Sequence, residues 1–192
     1  MTIKTLISAA RLRTLPLSVA GIITGSAIAR REDVEGFRTD IFVLALLTTI
    51  LFQILSNFAN DYGDGVKGTD NDQRLGPKRA LQSGAITRSE LKRVVIITAA
   101  LSFLSAIALI YAAFGLENLG YVLFFLILGA LCIVAAIKYT VGKSAYGYRG
   151  LGDVFVFVFF GLVSVVGSYF LYRQELPAYI FLPATAIGLL SV

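Results

Sequence analysis

The feature that most constrains this chain is a series of apolar runs, each close to membrane length, divided by short charged segments. They cover Thr14 to Ala29, Ile41 to Ala59, Val94 to Phe114, Leu119 to Ile137 and Leu151 to Tyr172, and a sixth opens near Pro177 and continues to Val192. A helix needs ~20 apolar residues to cross a bilayer, and lipid offers its backbone no hydrogen-bond partners, so each run must satisfy its own amides. The pattern predicts an all-α, polytopic transmembrane helical bundle forming a single domain over residues 1–192. With 57% hydrophobic and 15% charged residues and a mean hydropathy of +0.79, the chain is too apolar for an ordinary soluble domain.

The first run is short for a full crossing, and the segment before it, Thr2 to Arg13, is mildly amphipathic. Ile3, Leu6, Ile7 and Ala10 fall on one side and Lys4, Ser8 and Arg11 on the other, which predicts a helix lying along the interface. No small-residue cleavage site follows a short apolar core, so the first span is expected to stay in the membrane. Pro16 suits the first turn of that span, and Gly21 and Gly25 make a G-x-x-x-G pair of the kind that lets helices pack closely.

The net charge of +5 is spread over separate short segments, which argues for membrane topology and against a nucleic-acid partner. Lys and Arg are in excess in the N-terminal segment, the Lys67 to Arg93 loop and the Lys138 to Arg149 loop, all on the same side of an alternating chain. These are therefore expected to face the cytoplasm. With no histidine, Ser-His-Asp systems and His-ligated zinc are excluded, and the single Cys132, inside an apolar run, reads as a packing residue.

The candidate chemistry lies where the second run ends, in NFANDYGDGVKGTDNDQRLGPKRALQSG from Asn57 to Gly84. Asn57, Asp61 and Asp64 stand at i, i+4 and i+7, and Asn60 to Asp64 is another i, i+4 step, so a continuing helix carries them on one face. Carboxylates stacked this closely repel unless a cation sits among them, and a hard divalent ion such as Mg²⁺ prefers their oxygens. The basic group Lys67, Arg74, Lys78 and Arg79 follows, interspersed with Gly65, Gly68, Gly76 and Pro77. Acid and base together read as a metal-diphosphate site. The plainer alternative is a solvated, mixed-charge loop joining two helices.

NDYGDGVKGTD and RLGPKRALQSG, together with ARLRTLP near the start and YTVGKSAYGYRGLGD later, resemble the UbiA superfamily of intramembrane prenyltransferases over essentially the whole chain. The resemblance implies Mg²⁺ held by Asn57, Asn60, Asp61 and Asp64 against a polyprenyl diphosphate. The last aspartate usual in that motif is Gly68 here, with Asp70 and Asp72 nearby. It implies transfer of the polyprenyl chain to the aromatic acceptor 1,4-dihydroxy-2-naphthoate, giving demethylmenaquinone in menaquinone biosynthesis, at a bacterial cytoplasmic membrane with the site facing the cytoplasm. Arg79, Lys67 and Lys143 are the expected diphosphate contacts, and Arg13 is the expected partner of the acceptor carboxylate. Tyr139, Tyr148 and Asp153 are candidates for positioning or deprotonating the acceptor, so that Asp61, Asp64 and Asp153 form the expected catalytic set. The family's architecture also implies about nine spans with a second Asp-rich motif in or after the sixth. On that expectation the chain holds about five and a half spans, half of the site, and little activity alone.

Two other functions fit parts of the same pattern. A UbiA-type enzyme with hydroxybenzoate, haem or a glycerol phosphate as acceptor keeps the fold and changes only the shape of the cavity. A small cation transporter explains the acid stripe but not the basic, glycine-containing loop behind it.

Overall fold

The computed structural model describes residues 2–69 and 79–192. Asp70, Asp72, Arg74, Gly76, Pro77 and Lys78 lie outside the described residues. Among those described, every regular element is helical, and five helices are long and apolar enough to cross a membrane. The protein is an integral membrane protein.

Helix α1 spans Ile3–Ala10 and starts at Thr2, whose hydroxyl accepts the Thr5 amide at 3.2 Å. It stops at Arg11, whose left-handed backbone (φ 51°) turns the chain into a short 3₁₀ turn, Leu12–Thr14. The expected apolar side is divided: Leu6, Ala9 and Ala10 pack against the bundle, while Ile3 and Ile7 are exposed. Helix α2, Leu15–Glu32, follows with Pro16 in its first turn. Its direct continuity with α1 through the 3₁₀ turn makes up for the short first apolar run.

Helix α3 runs Thr39–Lys67, well past Ala59, and ends at Gly68 in the left-handed region (φ 75°). This continuation turns the Asn57, Asp61 and Asp64 spacing into one helix face. Helix α4 spans Arg88–Phe114 and opens with a capping box in which Thr87 and Glu90 satisfy each other's backbone amides. Helix α5, Leu119–Lys138, turns Leu123, Phe124, Ile127, Leu131 and Val134 outward, as suits a face covered by lipid. Helix α6 spans Gly152–Arg173, and α7, Phe181–Ser191, returns toward the starting side after a 3₁₀ turn at Ala178–Ile180.

Lipid tails are as apolar as leucine, so close packing and hydrogen bonds hold such helices together. Between α3 and α4 these are a cluster around Leu55, Phe58, Leu91 and Val95 and a buried Thr48–Ser105 hydroxyl pair at 2.8 Å. Between α2 and α6 it is the glycine pair. A Cβ on Gly21 would lie 1.8 Å from Ser164 Oγ, and one on Gly25 would lie 2.1 Å from Ser168 Oγ and 2.2 Å from the Val165 carbonyl. Only glycine permits that approach.

The fifth apolar run departs from a plain α-helix. Its middle, Phe157–Val166, is a π-helix, a wider turn that occurs often near functional sites. The backbone carbonyls of Phe160 and Val165 come up against the Gly21 and Gly25 positions of α2, so the widened stretch is where α6 and α2 meet backbone to backbone.

Candidate functional site

The ends of α3 and α5, the α1–α2 break and the loop before α4 meet at one end of the bundle. Asp61 on α3 is 1% exposed, and a buried carboxylate stays charged only with cations beside it. Two are present: Arg11, from the α1–α2 break, donates to Asp61 Oδ1, and Arg79 Nη1 reaches the same oxygen at 3.3 Å. One turn on, Asp64 Oδ2 accepts from that same Arg79 nitrogen at 2.6 Å, while Tyr148 OH donates to Asp64 Oδ1. The Lys67 ammonium lies 3.7 Å from the centre of the Tyr148 ring, a cation–π contact.

Local structure fixes these groups. Arg79 begins a turn in which Ser83 N donates to Arg79 O at 2.9 Å, and the next residue, Ala80, is buried with Ile86 and Leu91. Asn57 is buried and donates to the Ala10 carbonyl at 2.8 Å and Thr14 Oγ1 at 3.0 Å, so it ties the α1–α2 break to α3. Asn60 Oδ1 accepts from Thr140 Oγ1 at 3.2 Å. Thr140 sits so close to Gly63 that a Cβ there would lie 2.5 Å from its hydroxyl oxygen. The α5–α6 connection is thereby held against the acid face of α3.

Beside this cluster lies a cavity of about 400 Å³, bordered by Asn57, Asn60, Gln53 and Tyr139 at the charged end and by Ile22, Ile110, Phe125 and Leu171 toward the other. The aromatic wall near the charged end has Tyr139 edge-on to Tyr146 (5.3 Å) and Tyr146 stacked on Phe155 (3.9 Å). Tyr146 OH donates to the Ala135 carbonyl at 2.9 Å, and burial, helped by Tyr139, pushes its phenol up to about 12. It is a neutral wall group near pH 7 and not a base.

The residues expected from the sequence divide into two sets. Asn57, Asn60, Asp61, Asp64, Lys67, Arg79 and Tyr148 come together at this end, and Tyr139 lines the cavity. Arg13, Lys143 and Asp153 are exposed, and among the described residues none of the three makes an ion pair. Arg13 projects from the 3₁₀ turn. Asp153 falls in the first turn of α6, where a carboxylate favours the positive end of the helix. The residue sequence reasoning missed is Arg11, assigned there to the polar side of an interfacial helix. Its signal was ARLRTLP, where two arginines two residues apart leave open which one turns inward.

The residues present suit a hard divalent ion only in part. Two carboxylates already share one cationic nitrogen, and amide oxygens stand one turn away, a donor set of the right chemistry. No group of three or more acidic, Cys or His side chains that could hold a metal occurs among the described residues. A metal here would have to complete its shell with substrate oxygens and water.

Membrane-length helices around a mainly apolar chamber, with a carboxylate–guanidinium cluster at one mouth, define a polytopic intramembrane helical protein. The chain belongs to the UbiA prenyltransferase family, whose pattern matches residues 18–192. It is similar to the 1,4-dihydroxy-2-naphthoate octaprenyltransferase of Haemophilus influenzae, at 52% identity over 95% of this chain and 58% of the relative. The protein of that name from Escherichia coli is 51% identical over 94% and 58%, and that from Mycobacterium tuberculosis 34% identical over 96% and 60%. The chain thus spans about three-fifths of the length of these relatives. No solved structure matches it.

Proposed function

We propose that this chain carries the donor-binding part of a polyprenyltransferase that moves a polyprenyl chain from its diphosphate to 1,4-dihydroxy-2-naphthoate, giving demethylmenaquinone in menaquinone biosynthesis. The observation that carries this reading is that Asp61 and Asp64, one turn apart on α3, share the Arg79 guanidinium beside a mainly apolar cavity. The diphosphate head lies at the charged mouth and the prenyl tail in the cavity. Arg79 and Lys67 turn to the phosphate oxygens, and Arg79 is suited to a two-pronged grip on them. Asp61 and Asp64, with the Asn57 and Asn60 amide oxygens nearby, would hold Mg²⁺. When bound, that ion supplies charge to neutralise the departing diphosphate.

Loss of diphosphate leaves an allylic cation, which must meet the acceptor before water does. The apolar walls of α4, α5 and α6 keep water out, and the π-face of an aromatic ring such as Tyr139, which lines the cavity, attracts a cation. The electron-rich naphthoate ring attacks through the carbon that bears its carboxylate, which leaves as carbon dioxide, so the prenyl chain takes its place. The ring is released as the quinol, demethylmenaquinol, whose two-electron oxidation by oxygen or a membrane electron acceptor outside this site gives demethylmenaquinone. Positive charge is concentrated at the mouth end, with Lys67, Arg79, Arg88, Lys92, Arg93 and Lys138, while the far end mixes Arg30, Arg31 and Arg173 with Glu32, Asp33, Glu35 and Glu175. That asymmetry supports a cytoplasmic mouth in a bacterial inner membrane.

The test is a chimera in which this chain replaces the matching region of the Escherichia coli relative. Membranes containing it are expected to convert octaprenyl diphosphate and dihydroxynaphthoate to demethylmenaquinone with release of pyrophosphate. A chimera that inserts normally but prenylates hydroxybenzoate instead would overturn the acceptor, and one that prenylates nothing would overturn the function.

A further inference from the structure

Resting on the function proposed above, we propose that Gln53 binds the aromatic acceptor, its amide oxygen accepting a hydrogen bond from the 4-hydroxyl of dihydroxynaphthoate. Gln53 is the one polar side chain within residues 50–55 of α3. It is half-buried and borders the cavity together with Thr14 and Asn57. A polar side chain in an apolar span is kept there by what it bonds. Gln53 Nε2 donates to Thr14 Oγ1 at 3.1 Å, whereas no described residue donates to Gln53 Oε1. Half of the amide fastens α3 to the start of α2, and the other half is unspent.

Neighbouring bonds fix which half is which. Asn57 Nδ2 donates to the Ala10 carbonyl at 2.8 Å and to Thr14 Oγ1 at 3.0 Å, and a carbonyl can only accept, so the Asn57 nitrogen must lie on that side. The Thr14 hydroxyl gives its proton to the Arg11 carbonyl at 3.0 Å, which leaves its two lone pairs for Asn57 and Gln53. Thr14 therefore turns two amide oxygens, one helical turn apart on α3, away from the α1–α2 break. Each calls for a donor or a cation. Asn57, at i−4 from Asp61, suits the ion of the proposed function. Gln53 stands a further four residues away, about 6 Å of helix rise, and is tied to Thr14, out of range of a metal–oxygen bond of ~2.1 Å among the carboxylates. Of the reactants, the prenyl chain has no donor, and the ionised diphosphate accepts hydrogen bonds and gives none. The naphthoate hydroxyls do give them. The 1-hydroxyl shares its proton with the adjoining carboxylate, so the 4-hydroxyl is the group left for Gln53.

The test uses the chimera with the Escherichia coli relative, in membranes, with 1-hydroxy-2-naphthoate as a competitive inhibitor that lacks only the 4-hydroxyl. In the unsubstituted chimera its Ki is expected to lie at least about tenfold above the KM for dihydroxynaphthoate, the factor that one buried hydrogen bond carries. Gln53→Met, of similar length and without a hydrogen-bonding amide, is expected to raise that KM by about tenfold. The Ki of the inhibitor and the KM for octaprenyl diphosphate should stay within about twofold. All three constants moving together, as a packing role alone requires, overturns the inference, and so does no change in any of them. A Ki equal to the KM in the unsubstituted chimera overturns it without recourse to a variant. In each of these cases turnover of dihydroxynaphthoate leaves the proposed function standing, whereas a chimera that prenylates nothing overturns both.

Discussion

At one end of the bundle two aspartates on α3 are met by arginines that arrive from separate segments; at the opposite end a single carboxylate, Glu32, is met by groups from the α6–α7 corner. Glu32 accepts from Tyr169 OH at 2.7 Å and from Tyr179 OH, and Arg173 stands 3.6 Å from it while also reaching Asp33 and Glu175, each at 3.4 Å. The chemical groups overlap but the wiring differs. At the mouth, negative charge sits on one helix, and the partners described for it are Arg11 and Arg79, long cations from separate segments, with the Tyr148 phenol on Asp64. In the proposed function Arg79 turns from the carboxylates to the substrate. At the far end, short links from tyrosines and one arginine join the end of α2 to α6 and the start of α7, and neutral phenols offer nothing for a ligand to replace. The difference is one of emphasis: two arginines converge on the mouth carboxylates with one phenol beside them, whereas at the far end two phenols converge on Glu32 with Arg173 spread over three carboxylates.

The sharpest way to break this contrast is Asp61→Asn. It keeps the shape but removes a buried charge that both arginines address, so demethylmenaquinone formation by the chimera should fall about 10³-fold, a loss of the size seen when transition-state charge stabilisation is removed. Glu32→Gln at the other end should leave the rate within about threefold, as expected for a site remote from the chemistry. If the two substitutions cost the same, the division into a binding end and a fastening end is wrong.

Next in size is a change in the groove between the two ends. Gly21→Ala puts a methyl group 1.8 Å from Ser164 Oγ, so α2 and α6 must part. The expected cost is about 2–3 kcal/mol of stability, the upper part of the range for overpacking, read as a lowered melting temperature in detergent. Adding Ser164→Gly should recover only part of it, because the Phe160 carbonyl still stands 2.8 Å from the added methyl group. Tyr169→Phe, within the far cluster, removes a single hydroxyl and should cost about 1 kcal/mol, with the rate unchanged.

These expectations also mark what the sequence could and could not disclose. The spans were legible because lipid imposes a length on every apolar run, and the acid face was legible because helical period alone aligns Asn57, Asp61 and Asp64. Arg79 was legible from its place in a basic, glycine-rich loop. Arg11 was not, because its approach to Asp61 depends on one left-handed backbone angle that folds α1 back onto α3. The far cluster was equally hidden, since Glu32 and its partner Tyr169 stand 137 residues apart and neither belongs to a motif. The π-helix in α6 went unseen because Phe157–Val166 has the composition of any apolar span.

The smallest effect separates the mouth from its own surroundings. Lys143 lies on the α5–α6 connection near Tyr148 in sequence, carries the right charge for a phosphate, and is exposed, whereas Lys67 is held against the Tyr148 ring. An exposed lysine with no ion pair among the described residues contributes little, so Lys143→Ala should lower kcat/KM by less than about threefold. Lys67→Ala should do more, raising the KM for octaprenyl diphosphate by about tenfold, as removal of one charge-assisted phosphate contact does. The reverse ranking would mean that the diphosphate sits across the α5–α6 connection and not along α3. The carboxylates and the connection would then have to be treated as a single binding surface, with Arg79 at its edge.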